Sequence, residues 1–95
     1  MVIFLSESAE SDIENLLSYY RQEAGRVLAE KIENHLFEQL EGLTIFPESI
    51  RKSERIKGAR ELVFQRIPYI AYVRIHTEKG QIEVLNVVHT AKKFP

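Results

Sequence analysis

The stretch from Glu61 to His89, ELVFQRIPYIAYVRIHTEKGQIEVLNVVH, decides the fold. β-Branched and aromatic residues dominate three runs within it, ELVFQRI, YIAYVRIH and QIEVLNVVH. Pro68 separates the first two runs and the turn sequence TEKG separates the last two. Apolar runs divided by turn residues are typical of strands joined as hairpins. We therefore predict an antiparallel three-stranded meander in the second half of the chain.

The first half of the chain has a helical period instead. Apolar residues recur three and four positions apart, as on one face of a helix. They form two stripes, which are Ile13, Leu16, Leu17 and Tyr20, then Leu28, Ile32, Leu36 and Leu40. Ser6 or Ser8 can cap the first helix, and Gly42 can stop the second. Ala24 and Gly25 mark the break, so the two helices are predicted to pack as an antiparallel hairpin.

Helices followed by strands indicate an α+β domain. We predict that residues 1–95 form this single domain, with the N-terminal two-helix hairpin packed on one face of a small antiparallel sheet. The short apolar run Val2 to Leu5 is expected to add an N-terminal edge strand to the meander. The polar segment ESIRKSERIKGA after Pro47 is predicted to be a loop.

The composition excludes several classes of protein. The chain has no cysteine, which excludes a disulfide framework and any zinc site built from thiolates. Its N-terminus, MVIFLSESAE, has no basic region and only four consecutive apolar residues after Met1. We therefore expect neither a signal peptide nor a membrane span, and we predict a cytoplasmic protein.

Charge is distributed unevenly along the chain. Residues 1–50 carry three basic and ten acidic side chains, a net charge of −7. Residues 51–95 carry ten basic and four acidic side chains, a net charge of +6. The second half would attract an anionic partner such as nucleic acid or an acidic protein segment. Alternatively, its bases only solvate a sheet edge and discourage aggregation.

Basic residues of the predicted sheet are candidates for a functional site. Arg74 lies in the middle of an apolar strand, and burying it unpaired is too costly, so we expect it on the face that the helices leave open. Arg60 starts the meander and His89 ends it, and both are expected to converge on Arg74. The candidates for contact with a target or a phosphate are Arg60, Arg74, His89, Lys92 and Lys93.

Strand alternation assigns further side chains to faces. In the last strand it predicts one face of Leu85, Val87 and His89, and an opposite face of Val84, Asn86 and Val88. We interpret the tyrosines as core aromatics with a solvated hydroxyl rather than as platforms for stacking bases. They are Tyr19, Tyr20, Tyr69 and Tyr72.

His89 has two interpretations. Its imidazole could move the proton when a ribose 2′-hydroxyl attacks its phosphate, with arginines or lysines holding the charge. Alternatively, it only ends a strand and hydrogen-bonds the backbone. The three histidines lack a short ligand spacing such as H-x-x-x-H, and no nucleotide-binding motif is present. We therefore predict neither a metal site nor a cofactor.

The segments SESAESDI, GARELVFQRIPYIAYVRI and IEVLNVVHTAKKFP share an ordered set of features with one protein family. The features are Ala9, Asp12 and Ile13, then Pro47, then Gly58, Arg60, Glu61 and Leu62, then Tyr69, Tyr72 and Arg74, and finally His89 near Phe94 and Pro95. Together they span nearly the whole chain. In this order they resemble the RelE/ParE superfamily of toxins from bacterial type II toxin–antitoxin pairs.

The resemblance implies a two-helix-plus-sheet architecture and an antitoxin that wraps the toxin and silences it. The ending, a histidine followed by basic residues and a proline, is more similar to the ParE branch, whose members inhibit DNA gyrase. It thus implies a gyrase-inhibiting protein rather than an enzyme, with no membrane partner. A homodimer and a heterotetramer with the antitoxin are both compatible with it.

Two alternatives stay open. Members of the RelE branch cut mRNA on the ribosome with lysines, arginines and a C-terminal tyrosine, but this chain has no tyrosine after Tyr72. A ribosome-dependent endonuclease would instead use His89 with nearby arginines and lysines. The other alternative is a non-toxic homologue that only binds the antitoxin.

Overall fold

Two helices lie against one face of a mixed β-sheet in the computed structural model, which describes residues 1–91. The elements in chain order are β1 (Val2–Leu5), α1 (Glu7–Ala24), α2 (Arg26–Gly42), β2 (Arg51–Lys52), β3 (Arg60–Val63), β4 (Tyr69–His76) and β5 (Gln81–His89). The strand order across the sheet is β1-β5-β4-β3-β2. β1 runs parallel to β5, and the other neighbouring strands are antiparallel.

The predicted α+β class and the packing of both helices on the sheet are confirmed. The predicted antiparallel sheet, a three-stranded meander plus one edge strand, is wrong in two respects. The sheet is mixed because β1 is parallel to β5, and β2 adds a fifth strand inside the segment predicted to be a loop. Both residues of β2, Arg51 and Lys52, are charged and exposed, so hydrophobic alternation could not reveal this strand.

Local signals set the limits of both helices. The Ser6 hydroxyl caps α1 by accepting a hydrogen bond from the Ala9 amide at 3.0 Å. Gly25 separates the helices with φ of 90°, a backbone conformation that a residue with a β-carbon rarely adopts. α2 ends at Gly42, as predicted. Neither helix within residues 1–91 is both long and apolar enough to cross a lipid bilayer.

The core lies between the helices and the sheet. α1 contributes Ile13, Leu16 and Leu17 to it, and α2 contributes Ile32, Leu36 and Leu40. From the sheet come, among others, Ala71 and Val73 of β4 and Ile82, Val84 and Val87 of β5. Leu28, the first member of the predicted second stripe, is 43 % exposed and lies outside this core.

A bulge at Leu85 changes the faces of β5. Tyr72 pairs with Asn86 and the next residue, Val73, pairs with Val84, so Leu85 is passed over. Because of this extra residue, Val84 and Val87 both face the helices. The predicted alternation, which put Val84 and Val87 on opposite faces, is therefore wrong. A bulge adds one residue to one strand and leaves no hydrophobic signal in the sequence.

α1 replaces β1 as the neighbour of β5 beyond the bulge. β1 ends at Leu5, and the Ser6 amide donates to the Val84 carbonyl at 3.0 Å. The Ser6 hydroxyl donates to the Leu85 carbonyl at 2.8 Å. One helical turn later, the Asp12 carboxylate accepts from the Val87 amide at 2.9 Å. These side chains satisfy backbone groups of β5 that no strand covers.

We expect Ser6→Ala to lower the free energy of unfolding by about 1–3 kcal/mol, because it removes both the helix cap and the donor to Leu85. Urea unfolding followed by circular dichroism measures the change. Ser8→Ala is the matched control, since Ser8 is exposed and its change should stay within about 0.5 kcal/mol. Equal losses in the two variants would contradict the double role of Ser6.

Candidate functional site

The described candidate residues lie at three separate places. In the strand register, Arg74 of β4 lies opposite Glu83 of β5, whereas His89 of β5 lies opposite Tyr69 of β4. Tyr69 comes five residues before Arg74 in β4. At strand spacing this puts Arg74 and His89 about 16 Å apart along the sheet. Arg60 pairs with Val73 and therefore lies on the opposite face from Arg74. The expected convergence is wrong because pairing register sets these positions, and Lys92 and Lys93 lie outside the described residues.

Arg60 lies instead in a cleft of about 430 Å³ with other basic side chains. We name it the basic cleft and define it by Lys52, Lys57 and Arg60. Glu48 also lines it. The Arg60 guanidinium is held by donating to the Ile50 carbonyl at 2.8 Å. Lys52 and Lys57 are exposed and form no ion pair with any residue in the described range.

A buried carboxylate stabilises the edge of the sheet next to the basic cleft. Glu61 is only 7 % exposed, and it accepts hydrogen bonds from Arg51 Nε at 3.0 Å and from the Ser53 hydroxyl at 2.9 Å. Ser53 Oγ in turn accepts from the Arg55 and Ile56 amides. The loop that carries Lys57 is thereby fixed to β3.

Arg74 lies beside this loop. Its guanidinium Nη2 donates to the Lys57 carbonyl at 3.4 Å. Arg74 is thus near the chain segment that forms the basic cleft, although its side chain is on the other face of the sheet from Arg60. Lys52 and Lys57 were not among the candidates predicted from the sequence, although the run of charges in RKSERIK was an available signal.

His89 is held by its own strand end. Its Nδ1 accepts a hydrogen bond from the Ala91 amide at 3.0 Å, so the proton of the neutral ring is on Nε2. The ring meets Tyr69 edge to face, with centroids 5.1 Å apart. The backbone hydrogen bond that we expect if His89 only ends a strand is therefore present. It also leaves Nε2 as the ring atom that can exchange a proton.

A second cleft, of about 600 Å³, opens between α1 and the end of β5. We name it the tyrosine cleft, and its lining includes Asp12, Asn15, Tyr19, Tyr20, Tyr69 and His89. The rings of Tyr19 and Tyr20 meet edge to face at 5.3 Å. Burial raises the pKa of Tyr69, and the charge and hydrogen bond of Tyr20 raise it further. Tyr19 is 56 % exposed, so the prediction of a core aromatic is wrong for it.

No arginine or lysine lines the tyrosine cleft in the part of the chain that the structure describes. The arginines that were expected to hold a phosphate next to His89 are therefore not assembled around it. Within residues 1–91, no group of three His, Asp or Glu side chains is arranged to hold a metal ion. The basic cleft and the tyrosine cleft are thus two chemically different surfaces.

Comparison with known proteins gives a family and a fold. The family of the ParE toxin of the type II toxin–antitoxin system parDE matches residues 3–94. The chromosomal ParDE toxin–antitoxin system from P. aeruginosa contains a chain with a TM-score of 0.82 and 21 % identity, which covers 94 % of this chain and 95 % of that chain. The isolated E. coli RelE toxin gives a TM-score of 0.60 and 14 % identity, over 97 % of this chain and 86 % of that chain.

The comparison with curated proteins finds no match. The two solved structures are similar at low identity, so they support the fold alone. The family match supports more than the fold, because it extends over almost the whole sequence and agrees with the resemblance of the ordered motifs. The chain belongs to the ParE toxin family of type II toxin–antitoxin systems.

Proposed function

We propose that this toxin inhibits DNA gyrase in the cytoplasm and is neutralised by a cognate antitoxin. The observation that carries the proposal is the family match over residues 3–94. The toxin acts by binding and makes or breaks no covalent bond itself. This is supported by the cleft around His89, which no arginine or lysine lines within residues 1–91, because a nuclease needs phosphate-holding groups beside its proton carrier.

The basic cleft is the surface that contacts the target. Lys52 ends β2, Lys57 extends from the loop that Glu61 fixes, and Arg60 is oriented by the Ile50 carbonyl. Positive groups held in one place attract the phosphates of gyrase-bound DNA or an acidic surface of the enzyme. Arg74 flanks this surface. His89 at the end of β5 remains a proposed contact, as do Lys92 and Lys93, which lie outside the described residues.

The alternative function is a ribosome-dependent endoribonuclease. One observation favours it, namely that the Ala91 amide fixes the His89 ring with Nε2 available for proton transfer. Such an enzyme would have to take its phosphate-holding groups from outside the tyrosine cleft. A non-toxic homologue that only binds the antitoxin is the third outcome, and it predicts no growth inhibition when the toxin is expressed alone.

Two assays with the purified protein decide between these functions. The first measures gyrase supercoiling of relaxed plasmid, and the second probes a translating extract for mRNA cleavage. Blocked supercoiling or trapped cleaved DNA, with intact mRNA, is the result we expect. Cut mRNA with unaffected gyrase would overturn the proposal in favour of the endoribonuclease. Activity in neither assay would leave antitoxin binding as the only function.

His89→Gln separates the two activities further. Gln cannot carry a proton at neutral pH, so a nuclease should lose about 10²–10⁴-fold in rate. A gyrase inhibitor that uses His89 only as a contact should lose less than about tenfold in potency. His76→Gln is the control, because His76 pairs with Glu83 on the other face of the sheet at 3.0 Å. A large loss of gyrase inhibition in the His89 variant alone would show that His89 is an essential contact.

A further inference from the structure

The tyrosine cleft lies apart from the basic cleft and shares only His89 with the proposed gyrase contacts, yet it combines features of a binding site. Three of the four tyrosines of the chain line it, together with His89. Its volume of about 600 Å³ is within the range of cavities that hold a side chain or a small ligand. Tyr19 is exposed on its rim, which leaves the cleft open to a partner.

Among the described residues, the charge around the tyrosine cleft is negative. Asp12 is the charged residue among its described lining residues. The helix that forms one wall, α1, carries five acidic side chains and a single basic one, Arg21. Arg21 is paired with Glu14 at 2.9 Å, so it does not offset the remaining carboxylates. A cation is therefore favoured in this cleft over an anion.

The cleft offers hydrogen-bond acceptors beside donors such as its tyrosine hydroxyls and His89 Nε2. One oxygen of Asp12, Oδ2, is used by the Val87 amide. The other oxygen, Oδ1, accepts no hydrogen bond from a side chain or amide within residues 1–91. The exposed Asn15, one helical turn further along α1, adds an amide oxygen. Two acceptors thus lie beside aromatic rings.

We propose that the tyrosine cleft binds the guanidinium group of an arginine side chain that a partner protein presents. A planar cation fits this chemistry, since it stacks on or lies over tyrosine rings while its N–H groups donate to the Asp12 carboxylate. Lysine would satisfy the charge but cannot stack. A nucleotide is disfavoured because the described lining residues include no arginine or lysine to meet its phosphate. This inference does not depend on gyrase being the target.

A pair of peptides tests the proposal on the full-length toxin. The probe is acetyl-Gly-Arg-Gly-amide, and its control replaces arginine by citrulline, which has the same shape without the charge. The chain has no tryptophan, so tyrosine fluorescence reports mainly on the cleft. We expect saturable binding of the arginine peptide, and binding of the citrulline peptide that is at least about tenfold weaker.

Variants locate the binding in the cleft. Asp12→Asn keeps an acceptor for the Val87 amide but removes the charge, so the fold should persist while arginine affinity falls at least about fivefold. Tyr19→Leu removes an exposed ring and should weaken binding with little effect on unfolding. Glu10→Gln is the matched control, because it changes the net charge equally from an exposed position of α1 outside the cleft lining.

Several results would overturn the inference. Equal binding of the arginine and citrulline peptides would exclude a cation site, and so would the absence of binding by either. If Glu10→Gln and Asp12→Asn weakened binding of the arginine peptide equally, the binding would be explained by general attraction to an acidic helix. Tighter binding of adenosine monophosphate than of the arginine peptide would assign the cleft to nucleotides. Each of these results is independent of the supercoiling assay.

Discussion

Leu36→Ala should be the most destabilising single substitution considered, with a loss of about 2–5 kcal/mol in the free energy of unfolding. Leu36 is 0 % exposed and packs between α1, α2 and the sheet. Truncation leaves a cavity that the rigid core only partly fills. For a domain with a total stability of about 5–15 kcal/mol, this loss lowers the melting temperature by at least about 10 °C.

Thermal unfolding followed by circular dichroism measures this effect. Leu28→Ala is the matched control, since it removes the same atoms from the same helix at a position that is 43 % exposed. The free energy of unfolding of this control should fall by no more than about 1 kcal/mol. Similar losses in both variants would contradict the location of the core and would mean that Leu28 is buried as deeply as Leu36.

Reversing two charges in the basic cleft should have the largest effect on activity. In Lys52→Glu/Lys57→Glu, two attractive contacts become repulsive, so gyrase inhibition should weaken at least about 100-fold and growth inhibition should disappear. Both side chains are exposed, and the melting temperature should therefore stay nearly unchanged. The remaining inhibition should also depend less on salt concentration.

The matched control for the charge reversal is Lys31→Glu/Lys79→Glu. Lys31 lies on α2 and Lys79 lies in the turn before β5, and both are exposed. This double variant changes the net charge by the same amount outside the basic cleft. Supercoiling assays at matched concentrations compare the two. If both variants lost inhibition equally, net charge rather than the basic cleft would govern the activity.

Much of the helical half could be predicted because its signals are local. Ser6 as a cap, Gly25 as a break and Gly42 as a stop all act on residues within four positions of themselves. The three apolar runs likewise predicted β3, β4 and β5, because period two is a property of neighbouring residues. These parts of the fold need no information from distant segments.

The parts that could not be predicted depend on pairs that are far apart in sequence. The parallel direction of β1 follows from its pairing with β5, as in Val2 with Gln81. The face of Arg60 is set by its register with Val73. For these reasons Arg60 was wrongly expected beside Arg74. The tyrosine cleft was missed because Tyr19 and Tyr69 meet only through the packing of α1 on the sheet.

The pairing of β1 with β5 has a consequence for synthesis of the toxin. β5 is the last of the elements within residues 1–91 to be made, yet it has β1 on one side and β4 on the other. Until it is made, the inner edges of both neighbours have no partner, and Ser6 and Asp12 have no strand to bind. A nascent chain therefore assembles its helices early but closes its sheet in one late, long-range step. The basic cleft and the tyrosine cleft exist together only after that closure.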